Sequence, residues 1–488
     1  MKANKKEVIL PRKFKLISFY EEWNNAKNIL LNLKSFYENE MISLDDKFQK
    51  LSSIIQDFEK LNGNEDYNNK YLKKNCMNLK SAIKSYFKDK EENFYKELLP
   101  FIIEQSLLIE ERAKNKYGEQ TLPIMPSGKA AKESIPKLLF LSILSNIFFC
   151  NHKDFINQLT KDQLNSIKER EWNIVNYYKL YNIDNRIDSY VATERIKCLI
   201  GYFDFAKKIF ELKNNYFDKD IIIERIIFNP EEINQKLLEC NDMLEENDIN
   251  IHYNDMDNTE ISTQSFVNFA NRNFQTGKII PSATQEEVLF CVRPELFAAM
   301  PICQRVLENE IIVISNAYKI MENTGYLNSF KFKNLKENIF SDPDFAQNDK
   351  EDILCLDATF QDHYSFKSVL QDISKFYSAC NYCNKKYNNN AGISTGSWGC
   401  GAFWCDKAHK FLQQIVSAKV NHVKLSYSTF GDQYYYKSLI KLFNCVIESK
   451  PKINDLYKLI IEFKGRGDAQ FHKYLKEKLG DEFYLDNY

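Results

Sequence analysis

The spacing of apolar residues changes part-way along this chain. From about residue 14 to residue 116 they recur at helical intervals, as at Leu51, Ile54, Ile55, Phe58 and Leu61. An Asn-, Gly- and Asp-rich stretch at 62–69 interrupts them. Helical spacing returns at 129–151 and at 155–185. Within it, the apolar run 138–150 is broken by Ser142, Ser145 and Asn146, which predicts a buried helix and not a bilayer span. Turn signals at 122–128 and in the acidic, Asn-rich segment 245–259 place a boundary near residue 240. Beyond it, strand-like runs at 265–270, 311–315, 353–357 and 422–429 alternate with helical ones such as 285–296 and 406–418. That alternation predicts an α/β layered sheet.

Composition narrows the function only slightly. With 488 residues, 44% of them hydrophobic, the chain can bury the cores of two or three domains. Its 66 Lys and Arg balance 67 Asp and Glu, so it has no long-range attraction for nucleic acid or an anionic membrane. An anionic ligand needs a local site. The first residues, MKANKKEVILPRK, lack the apolar core and small-residue cleavage site of a secretory signal, and the expected residence is intracellular, in nucleus or cytoplasm. Twelve cysteines are then expected as free thiols. Cys380-x-x-Cys383 with Cys400 and Cys405 is the spacing to test for zinc.

Three constellations bear chemistry. Val267-Asn-Phe-Ala-Asn271 leads, through a loop containing Gln275-Thr-Gly277, to Gln285-Glu-Glu287 at the start of a helical pattern. A strand ending at the sheet's carboxyl edge beside two carboxylates suits glycosidic chemistry, where a leaving oxygen is protonated and water activated. Thr284-x-x-Glu287 is also a capping box, and acidic residues suit a helix N-terminus whatever their function. Thr395-Gly-Ser-Trp-Gly-Cys-Gly-Ala-Phe403 concentrates glycine in a chain with only 14, and can wrap a diphosphate or simply turn. Tyr326 in Asn-Thr-Gly-Tyr, Phe403, and Phe430 in Ser-Thr-Phe-Gly-Asp432 are rings in polar settings, suited to a base or ribose as well as to a core.

In this order these motifs resemble the catalytic half of the poly(ADP-ribose) glycohydrolases, densely over 265–432 and more thinly back through 98–109 and 135–150. The resemblance implies a macrodomain-like mixed sheet flanked by helices, with an all-helical N-terminal and accessory region. The corresponding units are a helical extension at 1–95, a helical accessory domain at 96–240, the macrodomain-like domain at 241–465 and a tail at 466–488. It implies hydrolysis of ribose–ribose O-glycosidic bonds without metal or cofactor. The expected partners are poly(ADP-ribose) or ADP-ribosylated proteins, with the N-terminal helical region open to protein partners and neither direct DNA binding nor a membrane expected.

Carried over residue by residue, Glu287 matches the acid/base glutamate and Glu286 the residue orienting ribose hydroxyls. The acid's role requires burial to hold its proton against the helix dipole. Asn268, Asn271 and Gln285 match polar contacts, Tyr326 and Phe430 the adenosine side, and Gly399, Cys400, Gly401, Ala402 and Phe403 the diphosphate loop with its ribose-covering ring. Asp255 and Asp257 are the candidates for an acidic adenine contact. The sequence departs from the family's expected pattern at Asn268 for aspartate, at Gln275 and Thr276 for glycines, at Ser397 for asparagine and at Trp404-Cys405 for a glycine pair. These departures leave open an inactive relative that binds ADP-ribose or serves as a scaffold.

Overall fold

The amphipathic stripe at 51–58 forms one face of a helix whose Leu51, Ile54, Ile55 and Phe58 are all buried, while Leu61 at its last turn is 59% exposed. A computed structural model describes residues 13–14, 20–38, 41–61, 75–118, 121–151, 177–245, 249–273, 283–341, 352–465 and 468–479. In the N-terminal half, α1 (Tyr20–Tyr37) packs on α2 (Leu44–Leu61) and on α3 (Leu99–Leu107). The apolar run read as a buried helix is α4 (Lys137–Phe148), enclosed on nearly every side as an all-round apolar helix must be. Among the described residues no helix is long and apolar enough to cross a membrane. The long α5 (Arg186–Glu211) completes the helical layer.

The helices cover an eight-stranded mixed sheet. Its strands in chain order are β1 (Ala131–Pro136), β2 (Asp220–Ile227), β3 (Ile249–His252), β4 (Ser265–Ala270), β5 (Glu310–Ser315), β6 (Asp352–Asp357), β7 (Gly392–Thr395) and β8 (Lys424–Ser428). Their spatial order is β1-β2-β5-β6-β4-β7-β8-β3. The β1–β2, β2–β5 and β5–β6 pairs are antiparallel, and β6–β4, β4–β7, β7–β8 and β8–β3 are parallel. Strands β6, β4, β7, β8 and β3 therefore deliver their carboxyl ends to one edge, where open α/β sheets place ligands.

Two of these strands correct the all-helical reading of the region before residue 240. In β2, Asp220-Ile-Ile-Ile-Glu-Arg-Ile-Ile227 alternates part-buried with buried positions over its first six residues, and the β-branched run fits a pleated surface. β1 is a polar edge strand that the helical spacing at 129–151 conceals, made extended by pairing with β2 and ended by Pro136, which caps α4. Strand β3 likewise lies inside 245–259, where only turn signals were read, as the opposite edge of the sheet. The helical reading at 155–185 falls largely outside the described residues, with Tyr177–Asn182 helical.

A buried ion pair joins the layers. Lys137 Nζ, opening α4, lies 2.7 Å from Glu295 Oε2, both side chains fully enclosed, with the Tyr216 ring centroid 3.7 Å from the ammonium. Tyr202 on α5 donates to Glu295 Oε1 at 3.3 Å. Burial pulls the Lys137 pKa down to about 8 against the opposing pull of Glu295.

Candidate active site

At the carboxyl edge β4 meets α6 (Gln285–Val292), and one side chain sets their relation. Gln285 Oε1 accepts from the Phe269 N–H at 2.8 Å while its Nε2 donates to the Val267 carbonyl at 3.0 Å, extending the strand's hydrogen bonding onto the helix start. Both polar ends of Gln285 are thus used on backbone, which makes it a positioning residue. Pro294 closes the α-helical stretch, and a 3-10 segment, Pro294–Ala299, occupies the end of the region read as helix at 285–296.

The next two residues carry the carboxylates. Glu286, 4% exposed, accepts from Asn268 Nδ2 at 3.1 Å and from the Asn271 N–H at 3.2 Å. Burial, with the neighbouring Glu287 charge adding to it, pushes its pKa up to about 8. Glu287 is half-buried, and its Oε2 accepts from the Thr284 N–H at 3.0 Å and from the Thr284 hydroxyl, completing the capping box. The capping-box reading of Thr284-x-x-Glu287 is thus realised in the structure. The burial that an acid/base role calls for falls on Glu286.

Asn268 is fully buried behind Glu286, and its Nδ2 lies 3.5 Å from Cys355 Sγ. Asn271 faces the edge at half burial, its Oδ1 accepting from the Asn273 N–H at 3.1 Å.

The glycine-rich loop joins β7 to α8 (Lys407–Val420), with α7 (Phe366–Tyr387) packed alongside. Trp398 anchors it, 1% exposed, its Nε1 donating to the Leu356 carbonyl at 2.9 Å and the Lys410 ammonium 4.4 Å from its ring. Gly399 has φ +75°, and a Cβ there would stand 2.7 Å from that of Ala358, so glycine is a steric demand. Gly401 differs: a Cβ would meet nothing within 4 Å, so packing does not explain it. Gly401 and Ala402 are exposed, and Cys400 and Phe403 are half-buried. The start of α8 is capped by Asp406, which accepts from the His409 N–H at 2.7 Å.

On the far side, β8 ends at Ser428 and the chain turns through Phe430, φ +54° and 54% exposed. Its ring meets Tyr326 edge-on at 5.4 Å, bringing together two aromatics over a hundred residues apart in sequence. Tyr326 is placed by Leu327, whose N–H donates to the Ala283 carbonyl at 3.0 Å, fastening this turn to the chain entering α6. Of the two acidic candidates, Asp257 pairs with Arg293 at 3.2 Å and Lys319 at 3.3 Å.

Residues 224–437 match the family model for the poly(ADP-ribose) glycohydrolase macro domain fold, and residues 86–225 match that for the glycohydrolase helical domain. The chain belongs to the poly(ADP-ribose) glycohydrolase family. It is 26% identical over 264 residues to poly(ADP-ribose) glycohydrolase 1 of Caenorhabditis elegans, covering 50% of this chain and 32% of that one. To glycohydrolase 2 of the same organism it is 25% identical over 288 residues, 55% of this chain and 57% of the relative. To the probable glycohydrolase 2 of Arabidopsis thaliana it is 22% identical over 432 residues, 78% and 80% of the two. The chain thus spans about a third and just over half of the two nematode relatives it matches.

The positions read from sequence as departures from the family pattern fall in different places. Asn268 lies beneath Glu286, Trp404 is 83% exposed on the loop crest, and Gln275, Thr276 and Gly277 lie outside the described residues. Cys380 and Cys383 are buried in α7, Cys383 against Ser265 at 3.2 Å, while Cys405 contacts His363 Nδ1 at 3.2 Å. Among the described residues no group of three or more His, Cys, Asp or Glu is arranged to hold a metal ion, which removes the four-cysteine zinc reading. Sequence reasoning missed the Asn268–Glu286 contact and Phe360, which meets Phe403 edge-on at 5.4 Å. The strand period fixes the face of β4 on which Asn268 lies, but the position of Glu286 on α6 comes only from tertiary packing.

Proposed function

We propose that this protein hydrolyses the ribose–ribose O-glycosidic bonds of poly(ADP-ribose), free or on ADP-ribosylated proteins, and releases ADP-ribose. One observation carries the reading: adjacent carboxylates at the first turn of α6, at the sheet's carboxyl edge, in unequal environments. Glu286, with its pKa at about 8, mostly keeps its proton at neutral pH and can donate to a ribose hydroxyl. With substrate bound and water excluded, Glu287 takes up a proton and delivers it to the glycosidic oxygen as that oxygen's bond to the anomeric carbon breaks. It then takes a proton from the water that adds to the oxocarbenium-like centre, which restores the acid. To do so it exchanges the Thr284 hydroxyl for the leaving oxygen. Gly399 to Phe403 would hold the diphosphate and cover the ribose, and Tyr326 with Phe430 would bound the adenosine side.

Incubation with poly(ADP-ribose), beside Glu287→Gln, tests this. Release of free ADP-ribose by the unaltered protein should fall about 10²–10⁴-fold in the variant, the usual range for a lost acid/base. Equal slow release from both would remove Glu287 from the mechanism. A second reading, an ADP-ribose-binding pseudoenzyme or scaffold, draws on the grip of Thr284 on Glu287. It predicts no release from either protein; saturable heat with ADP-ribose would then mark a binder, and its absence a scaffold.

A further inference from the structure

The rim formed by the glycine-rich loop carries more aromatic surface than the proposed chemistry uses. Phe360, three residues past β6, packs edge-to-face on Phe403 at 85°, and Trp404 follows Phe403 directly. Phe360 is 55% exposed and Trp404 83%, although rings of this size are normally enclosed. Trp404 also holds a left-handed backbone, φ +59°, which disfavours a bulky residue.

The turn imposing that conformation is tied down. The Trp404 N–H donates to the Gly401 carbonyl at 3.1 Å and the Cys405 N–H to that of Gly399 at 3.2 Å. Cys405 Sγ lies 3.2 Å from His363 Nδ1 and 3.9 Å from the Thr359 carbonyl. These contacts fasten the loop to the 359–363 turn that carries Phe360. Two flat side chains thus stand in solvent on supported backbone, one in contact with the Phe403 ring and the other next to it in the chain.

We propose that Phe360 and Trp404 form a stacking platform for a second purine, the adenine of the ADP-ribose unit adjoining the one held by the glycine-rich loop. The inference rests on the function proposed above. If Phe403 covers the ribose at the scissile bond, the adjoining unit leaves the site across this rim and carries its base with it. Exposed rings bind a base by its face without reading its edges. Two supported rings suit a single base better than a protein surface, which needs a far larger buried area. The platform makes the protein favour polymer over free ADP-ribose.

The test measures binding in a Glu287→Gln background that leaves polymer intact, using ADP-ribose and short poly(ADP-ribose) oligomers as separate calorimetric probes. Trp404→Gly suits the left-handed backbone, and Phe360→Ala removes the second ring without touching the loop. Each should weaken oligomer binding about tenfold, with ADP-ribose held within about twofold, as expected for one lost base–ring stack. Trp404→Phe should recover most of the oligomer affinity. Oligomer affinity unchanged in both variants, or both ligands weakened alike, would overturn the platform while leaving the parent's ADP-ribose site standing. A parent that binds neither ligand would sink the proposed function and the platform together.

Discussion

The Asn268 amide donates to Glu286 Oε1 at 3.1 Å beneath the edge of the sheet, and its own Oδ1 is buried with no hydrogen-bond partner among the described residues. An unpaired buried acceptor is costly, and a proton on Glu286 supplies a donor if the amide turns over. The pair thus links the protonation of one carboxyl group to the orientation of one amide.

That linkage has a direction in pH. Glu286 has a folded pKa of about 8 against an ordinary 4.5, so the folded state holds its proton longer than the unfolded chain. Its stabilising contribution is complete below pH 4.5 and is lost as pH rises through about 8. Glu286→Gln should flatten this fall and make the protein more stable than the parent above pH 8, by on the order of a few kcal/mol. Denaturant midpoints at acidic, neutral and alkaline pH check it; parallel profiles for parent and variant would exclude Glu286 as the source.

Replacing Asn268 with aspartate sets a second carboxyl group against Glu286. One of the two must then keep a proton, and the alkaline stability of Asn268→Asp should lie below that of the parent. If the asparagine limits catalysis, the same change raises ADP-ribose release at least about tenfold, equivalent to about 1.4 kcal/mol of barrier. Rates and midpoints measured across pH on the same variant separate the two effects.

Phe430 is half exposed, and its ring packs on Tyr326 alone of the described aromatics. Phe430→Ala should therefore cost little stability but weaken ADP-ribose binding about fivefold to tenfold, the loss expected for one stacked base. Calorimetry measures the affinity. An unchanged dissociation constant would move the adenosine away from this side of the edge.

Lys137→Ala would leave Glu295 without its counter-charge in a fully enclosed site between α4 and the macrodomain fold. Loss of about 3–5 kcal/mol is expected, as for other buried pairs broken from one side. The double change Lys137→Met with Glu295→Leu should recover part of it, and a denaturant series on the three proteins measures both. A single variant as stable as the parent would show that the pair does not hold the layers together.

Much of this architecture was legible along the chain. The strand at 265–270, those at 310–315 and 352–357, the buried helix after residue 136 and the order of the site motifs all declare themselves locally. Alternation, apolar runs and turn residues are written within a few neighbours of each other. Strand β1 was not legible, because its Ala131-Lys-Glu-Ser-Ile-Pro136 becomes extended by pairing with β2, a partner some ninety residues on.

The site divides in the same way. Sequence alone singled out the residues proposed to carry the chemistry: two adjacent carboxylates, a glycine-rich loop and a few rings. The tertiary structure decided which carboxylate is buried, that both ends of Gln285 are used on strand backbone, that Asn268 bonds to Glu286, and that Phe360 reaches Phe403. Burial and pairing are properties of what lies across the sheet edge, and the chain brings those neighbours together only when it folds.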